Sequence, residues 1–207
     1  MNLICGDLSQ WGDVVGMDFR GMGQSEGRYT FGGEEYLDLE PILKWARPRY
    51  RQVVLLGLSL GSYHSLRAAH SWPKLVDRLL LVSVPSRLED VLLTLGPIRQ
   101  SWTILTDWKA IKKRLTVGAN PFFRWGNPFS KKPNAVNLAA ELKMPTAFLV
   151  GGKDRLVLKQ LSRNIFEKTK SSKTWAEIPE GNHAEFLYLE NEEKFKLWLI
   201  KSLAIKK

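Results

Sequence analysis

The stretch Val53-Val54-Leu55-Leu56-Gly57-Leu58-Ser59-Leu60-Gly61 constrains this chain more than any other. It opens as an unbroken aliphatic run, the mark of a strand buried on both faces. A serine follows between two glycines, and the chain then continues as a helix candidate, Leu60–His70. A buried strand that turns directly into a helix belongs to a parallel sheet, whose neighbouring strands need a crossover between them. The pattern recurs along the sequence. Strand candidates fall at Asp13–Asp18, Gln52–Leu56, Arg78–Ser83, Thr146–Gly151 and Lys173–Ile178, and further helix candidates at Gly33–Arg47, Val157–Thr169 and Asn191–Ile205. The alternation predicts an α/β fold, a mostly parallel sheet flanked by helices.

Two helices carry further information. Phe195, Trp198, Leu199 and Leu203 form one stripe of the last helix with lysines opposite, so that helix should lie against the sheet. Pro41 lies inside Gly33–Arg47 and should kink or split it, because proline lacks a backbone donor and crowds the preceding turn.

One interval breaks the alternation. Residues 87–144 are far more than a crossover requires, and they are rich in aromatics. They hold ten Lys and Arg against four Asp and Glu. The expectation is a single domain, residues 1–207, with a core at 1–86 and 145–207 and a helical lid insertion at 87–144. Trp102, Trp108, Phe122, Phe123 and Trp125 are the lid residues expected to line a substrate pocket, set against the alternative that they form the lid's own core.

A chain of 207 residues is long enough to bury a substantial core in one domain. No apolar stretch is long enough to span a bilayer, and the N-terminus shows no signal-peptide pattern. A single cysteine, Cys5, excludes an internal disulfide and a cysteine-rich metal site, and leans toward the reducing cytoplasm. The net charge of +10 invites a nucleic-acid or anionic-surface reading. The lysines are scattered, however, and no nucleic-acid-binding signature accompanies them, so a solvated surface is the better account and no nucleic-acid partner is expected.

The chemistry centres on Ser59. In Gly57-Leu58-Ser59-Leu60-Gly61, between strand and helix, it has the form of a nucleophile elbow. Such a turn forces a strained backbone that lifts the hydroxyl above the sheet edge, and the glycines should let strand and helix approach closely. The backbone N–H of Leu60, at the helix N-terminus, can face a developing oxyanion. A serine hydroxyl needs a positioned base, and the chain has three histidines. His64 and His70 run away with the helix that Ser59 starts. His183, in Glu180-Gly181-Asn182-His183, follows the last strand candidate, where an α/β sheet presents its reactive groups. A carboxylate should hold the imidazole tautomer. Asp154, just past Thr146–Gly151, completes the chain order Ser, Asp, His; Glu89 and Asp90, past Arg78–Ser83, are its rivals.

With these residues, three further segments resemble the α/β-hydrolase superfamily. They are the Asp18-Phe19-Arg20-Gly21-Met22-Gly23-Gln24-Ser25 loop with the strand before it, residues 151–157, and Gly181-Asn182-His183. Together they span nearly the whole chain in the family's order. The wording of the elbow is similar to small lidded esterases and monoacylglycerol-lipase-like enzymes. The resemblance implies cofactor-free hydrolysis with no metal. Ser59 would attack a carbonyl, His183 would relay the proton, and water would release the acid from an acyl-enzyme. The substrate expected is a carboxylic ester or thioester of a small-to-medium, partly apolar acyl group.

The chain departs from the family at its start. The resemblance implies three strands before Asp13–Asp18, the third ending in a loop that donates a second oxyanion N–H. Only twelve residues precede Asp13. Leu3–Cys5 cannot be that third strand, because a parallel crossover to Asp13 would be too short. Met1–Gly12 is read instead as the tail of the helix before Asp13–Asp18, in a fold truncated at its N-terminus with a gap between Asp13–Asp18 and Gln52–Leu56. That departure keeps alive an alternative, a non-catalytic or inactive truncated hydrolase-like binding protein. A module binding nucleic acid or a membrane surface through its charge is the third possibility.

Overall fold

The computed structural model describes residues 2–30, 32–87, 89 and 132–203. Four strands form one sheet in the order β1-β2-β3-β4: β1 Val54–Leu58, β2 Arg78–Val82, β3 Thr146–Gly151 and β4 Lys173–Ile178. All three pairings are parallel, with Leu56 opposite Leu80, Leu81 opposite Phe148, and Phe148 opposite Trp175. Helices α1 Asn2–Leu8, α2 Leu39–Ala46, α3 Leu60–Ser71, α4 Ala135–Ala139, α5 Lys159–Lys168, α6 Glu185–Glu190 and α7 Glu192–Leu203 surround it.

The apolar runs of the central strands divide between two cores. Along β2, Leu79 and Leu81 pack with Leu43, Tyr63, Leu66 and Ile165 on one face. Leu80 and Val82 pack with Leu187, Phe195, Trp198 and Leu199 on the other. A strand's side chains alternate between faces, so an unbroken aliphatic run fills two hydrophobic layers at once. Each such leucine contributes about 1.5–3 kcal/mol by burial. Because the strand order is consecutive, crossovers of one hand must cover one face. The first core accordingly gathers α2, α3, α4 and α5, and the second gathers α1, α6 and α7. The α/β class, with its parallel sheet and flanking helices, is as expected.

Several boundaries move. Asp13–Asp18 is not a strand: it has no ladder partner among the described residues, and Val14 and Val15 are 38% and 54% exposed. An alternating apolar pattern makes a strand only where a neighbour accepts its hydrogen bonds. Here the segment is held by its side chains instead, Tyr50 donating to Asp13 at 2.8 Å and Met17 and Phe19 packing on the first core. The strand expected at Gln52–Leu56 is displaced to Val54–Leu58, which carries Gly57 and Leu58 into the ladder. Gly33–Arg47 divides into a 3₁₀ turn, Glu35–Asp38, and α2. Pro41 falls in the first turn of α2, where its missing N–H has no partner to lose.

The N-terminal helix is present as α1, and Asp7 ties it to the last two helices by accepting from Tyr188 and pairing with Lys196 at 2.9 Å. Within the interval assigned to a lid, α4 and the residues after it lie in the first core: Ala135, Ala139, Leu142 and Met144 are buried there. Trp102, Trp108, Phe122, Phe123 and Trp125 lie outside the described residues. Among the described residues, no helix is long and apolar enough to cross a membrane.

Candidate active site

Parallel strands bring their C-terminal ends to one edge of a sheet, and four polar residues gather at that edge. Ser59 follows β1 directly, Ser83 follows β2 directly, Asp154 lies three residues past β3, and His183 five past β4.

The turn at Ser59 is built by its neighbours. Ser59 has φ +51° and ψ −121°, a left-handed backbone that costs a non-glycine residue about 1–3 kcal/mol. Its N–H continues the ladder to Val82 O at 2.9 Å. Below the turn, the buried Ser62 hydroxyl lies 2.6 Å from Gly57 O and 2.8 Å from Val82 O, and accepts from Val82 N–H. One buried serine therefore couples β1, β2 and α3. Leu60 is the first residue of α3, so its N–H has no helical acceptor and is free to meet a negative charge.

Asp154 is fixed from two sides. Its Oδ1 accepts from the N–H groups of Leu156 and Val157, both at 2.9 Å, and its Oδ2 lies 2.8 Å from His183 Nδ1. The side chain is 1% exposed. Burial alone would raise its pKa. Hydrogen bonds from His183 and Val157 N–H, with attraction to the His183 charge, outweigh burial and hold the carboxyl below its ordinary value. An ionised carboxylate has no proton to give, so Nδ1–H of His183 is the donor. Nε2 is then the acceptor for Ser59 Oγ–H, 2.8 Å away.

The loop carrying His183 is seated on β3. Gly152 N–H donates to Ile178 O and Lys153 N–H to Gly181 O, both at 2.9 Å. A Cβ on Gly151 would collide with the backbone of Gly181 and Asn182, so a bare backbone there lets the acid and base loops meet.

Ser59, Asp154 and His183, all read from the sequence, are thus brought together. The rivals are not: Glu89 faces Lys132 at 3.8 Å, and Asp90 lies outside the described residues. His70 pairs with Glu141 at 3.1 Å. His64 is buried against Phe19 and Tyr63, and burial, with Arg67 nearby, lowers its pKa to about 3. Sequence reasoning missed Ser83, since a serine ending an aliphatic run carries no signal of its own. The close approach expected at Gly61 is absent: a Cβ there would meet nothing within 4 Å. No group of three or more metal-ligating side chains occurs among the described residues.

An aligned hydroxyl, imidazole and carboxylate beside a free helix N-terminal N–H, at the open end of a parallel sheet, define the hydrolase class of α/β protein. The model of the alpha/beta hydrolase family matches residues 6–195, and the chain belongs to that family. Solved structures agree on the fold. A hydrolase from Pseudomonas aeruginosa is 20% identical, with 99% of this chain and 84% of that one covered and a TM-score of 0.71. An esterase from Exiguobacterium antarcticum is 17% identical, with 97% and 85% covered and a TM-score of 0.72. A monoacylglycerol lipase from Paleococcus ferrophilus is 22% identical, with 89% and 82% covered and a TM-score of 0.60. No curated protein matches the chain.

Proposed function

We propose that this protein is a serine hydrolase that cleaves a carboxylic ester or thioester of a small-to-medium, partly apolar acyl group through an acyl-enzyme. The observation that carries this reading is the continuous line from Ser59 Oγ through His183 to Asp154, with 2.8 Å at each link. Ser59 attacks the carbonyl carbon while Nε2 of His183 takes its proton. Asp154 stabilises the resulting imidazolium and keeps Nδ1 protonated. The N–H of Leu60 faces the oxyanion of the tetrahedral intermediate. The imidazolium then gives its proton to the leaving alcohol or thiol, and the ester bond breaks. Water repeats the sequence on the acyl-Ser59 bond and frees the acid. Membership of the hydrolase family supports the reaction class, and the similarity to an esterase and a monoacylglycerol lipase supports an ester substrate. The aromatic residues between 87 and 131 support an apolar acyl group.

A fluorophosphonate probe and p-nitrophenyl esters of increasing chain length test the proposal. The expected result is one label, lost in Ser59→Ala, with kcat in that variant lower by about 10⁶. Labelling that survives in Ser59→Ala, or a wild-type protein inert to both reagents, would overturn it.

A further inference from the structure

Arg67 lies on α3 two turns beyond Ser59, about 12 Å along the helix axis. It is 6% exposed, and no carboxylate among the described residues pairs with it. A buried cation is costly unless its donors are met, so each N–H of this guanidinium must be accounted for. Nη1 donates to Gly32 O and Gly33 O, and Cζ sits over the Tyr36 ring, 3.8 Å from its centroid. Neither Nε nor Nη2 hydrogen-bonds to a described residue. The group is thus held by one edge and one face, and its other edge is left over. That edge has a particular chemistry: Nε–H and one Nη2–H are parallel donors, a fork that matches the two oxygens of one carboxylate.

Arg67 lines a cleft of about 490 Å³ between the entrance to α2, the end of α3 and α4, within the size range of small-molecule sites. Tyr36, Leu37, Pro133 and Leu138 supply its apolar walls, and His70 and Ser71 lie at its α3 end. The other charged groups there already have partners. Glu34 pairs with Arg20 at 2.8 Å, and His70 with Glu141 at 3.1 Å. Glu35, buried on the neighbouring loop, directs its oxygens at Thr30 and Gly32. Only the Arg67 charge is without a counter-ion.

We infer that this cleft binds a monocarboxylate with a short apolar tail: the carboxylate takes the Nε–Nη2 edge of Arg67, and the tail lies on Tyr36, Leu37 and Leu138. A monoanion suits the cleft better than a dianion, because Glu34 adds negative charge to one wall. The site is separate from Ser59 and stands on its own observations, whatever reaction the triad performs.

Isothermal titration of the whole protein with hexanoate tests this, with thermal unfolding alongside. The controls are 1-hexanol, the same tail without the charge, and inorganic phosphate, an anion without the tail. Hexanoate should bind and raise Tm, and each control should bind at least about tenfold more weakly. Arg67→Lys keeps a cation that can reach the loop carbonyls but removes the fork, and should weaken hexanoate about tenfold. Ser71→Glu, an exposed substitution at the rim, sets a like charge on the cleft and should weaken hexanoate severalfold while unfolding as the wild type does. Neither heat nor a rise in Tm up to about 10 mM hexanoate would overturn the inference, as would equal affinity for hexanoate and hexanol. Phosphate binding as tightly as hexanoate would overturn the ligand class. Hexanoate that binds both variants as it binds the wild type occupies another site, the catalytic one included, and refutes this one. If Arg67→Lys does not fold, Ser71→Glu decides: an unchanged affinity refutes the site, and a weakened one supports it.

Discussion

Gly57, in the ladder of β1, lies so close to Ser62 of α3 that a Cβ on it would stand 2.5 Å from the Ser62 N and Cα atoms. The first turn of α3 therefore packs on bare backbone. That contact sets the height of Ser59 above the sheet and lets the Ser62 hydroxyl reach Gly57 O and Val82 O. Both obstructing groups are main chain, and neither can move without dragging the turn.

The two glycines flanking Ser59 should therefore behave oppositely. Gly57→Ala should push α3 off β1, destabilise the fold by several kcal/mol and abolish labelling of Ser59, since overpacking against main chain cannot be relieved by a rotamer change. Gly61 lies in α3 with open space around it, so Gly61→Ala should stabilise by about 0.5–1 kcal/mol through helix propensity. Urea denaturation of both variants checks this. Equal losses at the two positions would contradict the asymmetry.

Asp154→Asn should preserve the fold and cost about 10⁴ in kcat. The N–H groups of Leu156 and Val157 select which atom faces them, and only an oxygen can accept from both. The amide nitrogen of the replacement must then face His183 Nδ1 and donate to it. The imidazole proton is driven to Nε2, which can no longer accept from Ser59. Glu89→Gln should leave kcat near the wild-type value, because Glu89 faces Lys132 rather than the imidazole. Steady-state kinetics of the two variants checks the pair.

The sheet was legible where burial wrote it into the sequence twice over. Leu79–Val82 and Ala147–Val150 fill two cores each, so their apolar runs are unbroken and their limits clear. The site was legible because each reactive residue lies in a short local turn beyond a strand. What failed depends on partners distant in the chain. Asp13–Asp18 has the composition of a strand and, among the described residues, no ladder to join. Gly57 and Leu58 resemble a turn and are strand residues, because the ladder to β2 extends to Val82. Gly57 and Gly61 look alike as letters, and only the packing of α3 on β1 separates them. Ser83 meets Leu149 of β3 through its N–H and Ala184 of the loop after β4 through its hydroxyl, and no local pattern announces either.

Glu35 is fully buried, and the reason lies in one loop. Its carboxylate accepts from the N–H and hydroxyl of Thr30 and from the N–H of Gly32. The same Thr30 hydroxyl accepts from Glu34 N–H at 2.7 Å, so the entrance to α2 hangs on this side chain. Glu35→Ala should leave buried donors unsatisfied and cost about 2–4 kcal/mol, read as a lower urea midpoint at unchanged slope. Glu35→Gln keeps an accepting oxygen and should cost less. A wild-type midpoint for Glu35→Ala would show that the loop does not depend on the carboxylate.

His64 should make stability depend on pH in a direction opposite to that of a histidine whose pKa is raised by folding. It is 1% exposed, its Nδ1 has no hydrogen-bond partner, and burial first, then the charge of Arg67, lowers its pKa to about 3. The folded protein therefore keeps His64 neutral while the unfolded chain takes up a proton below about pH 6.5. Across that window the unfolded state binds more protons, so stability rises with pH and is lost as the solution is acidified. The slope for one such group approaches about 1.4 kcal/mol per pH unit. His64→Leu removes the titrating group and the unpaired nitrogen while roughly keeping the volume, so it should hold its stability at neutral pH. Between about pH 7.5 and about pH 5, the wild type should lose roughly 2 kcal/mol more than the variant. Parallel stability curves for the two proteins over that range would show that His64 is protonated in the native fold.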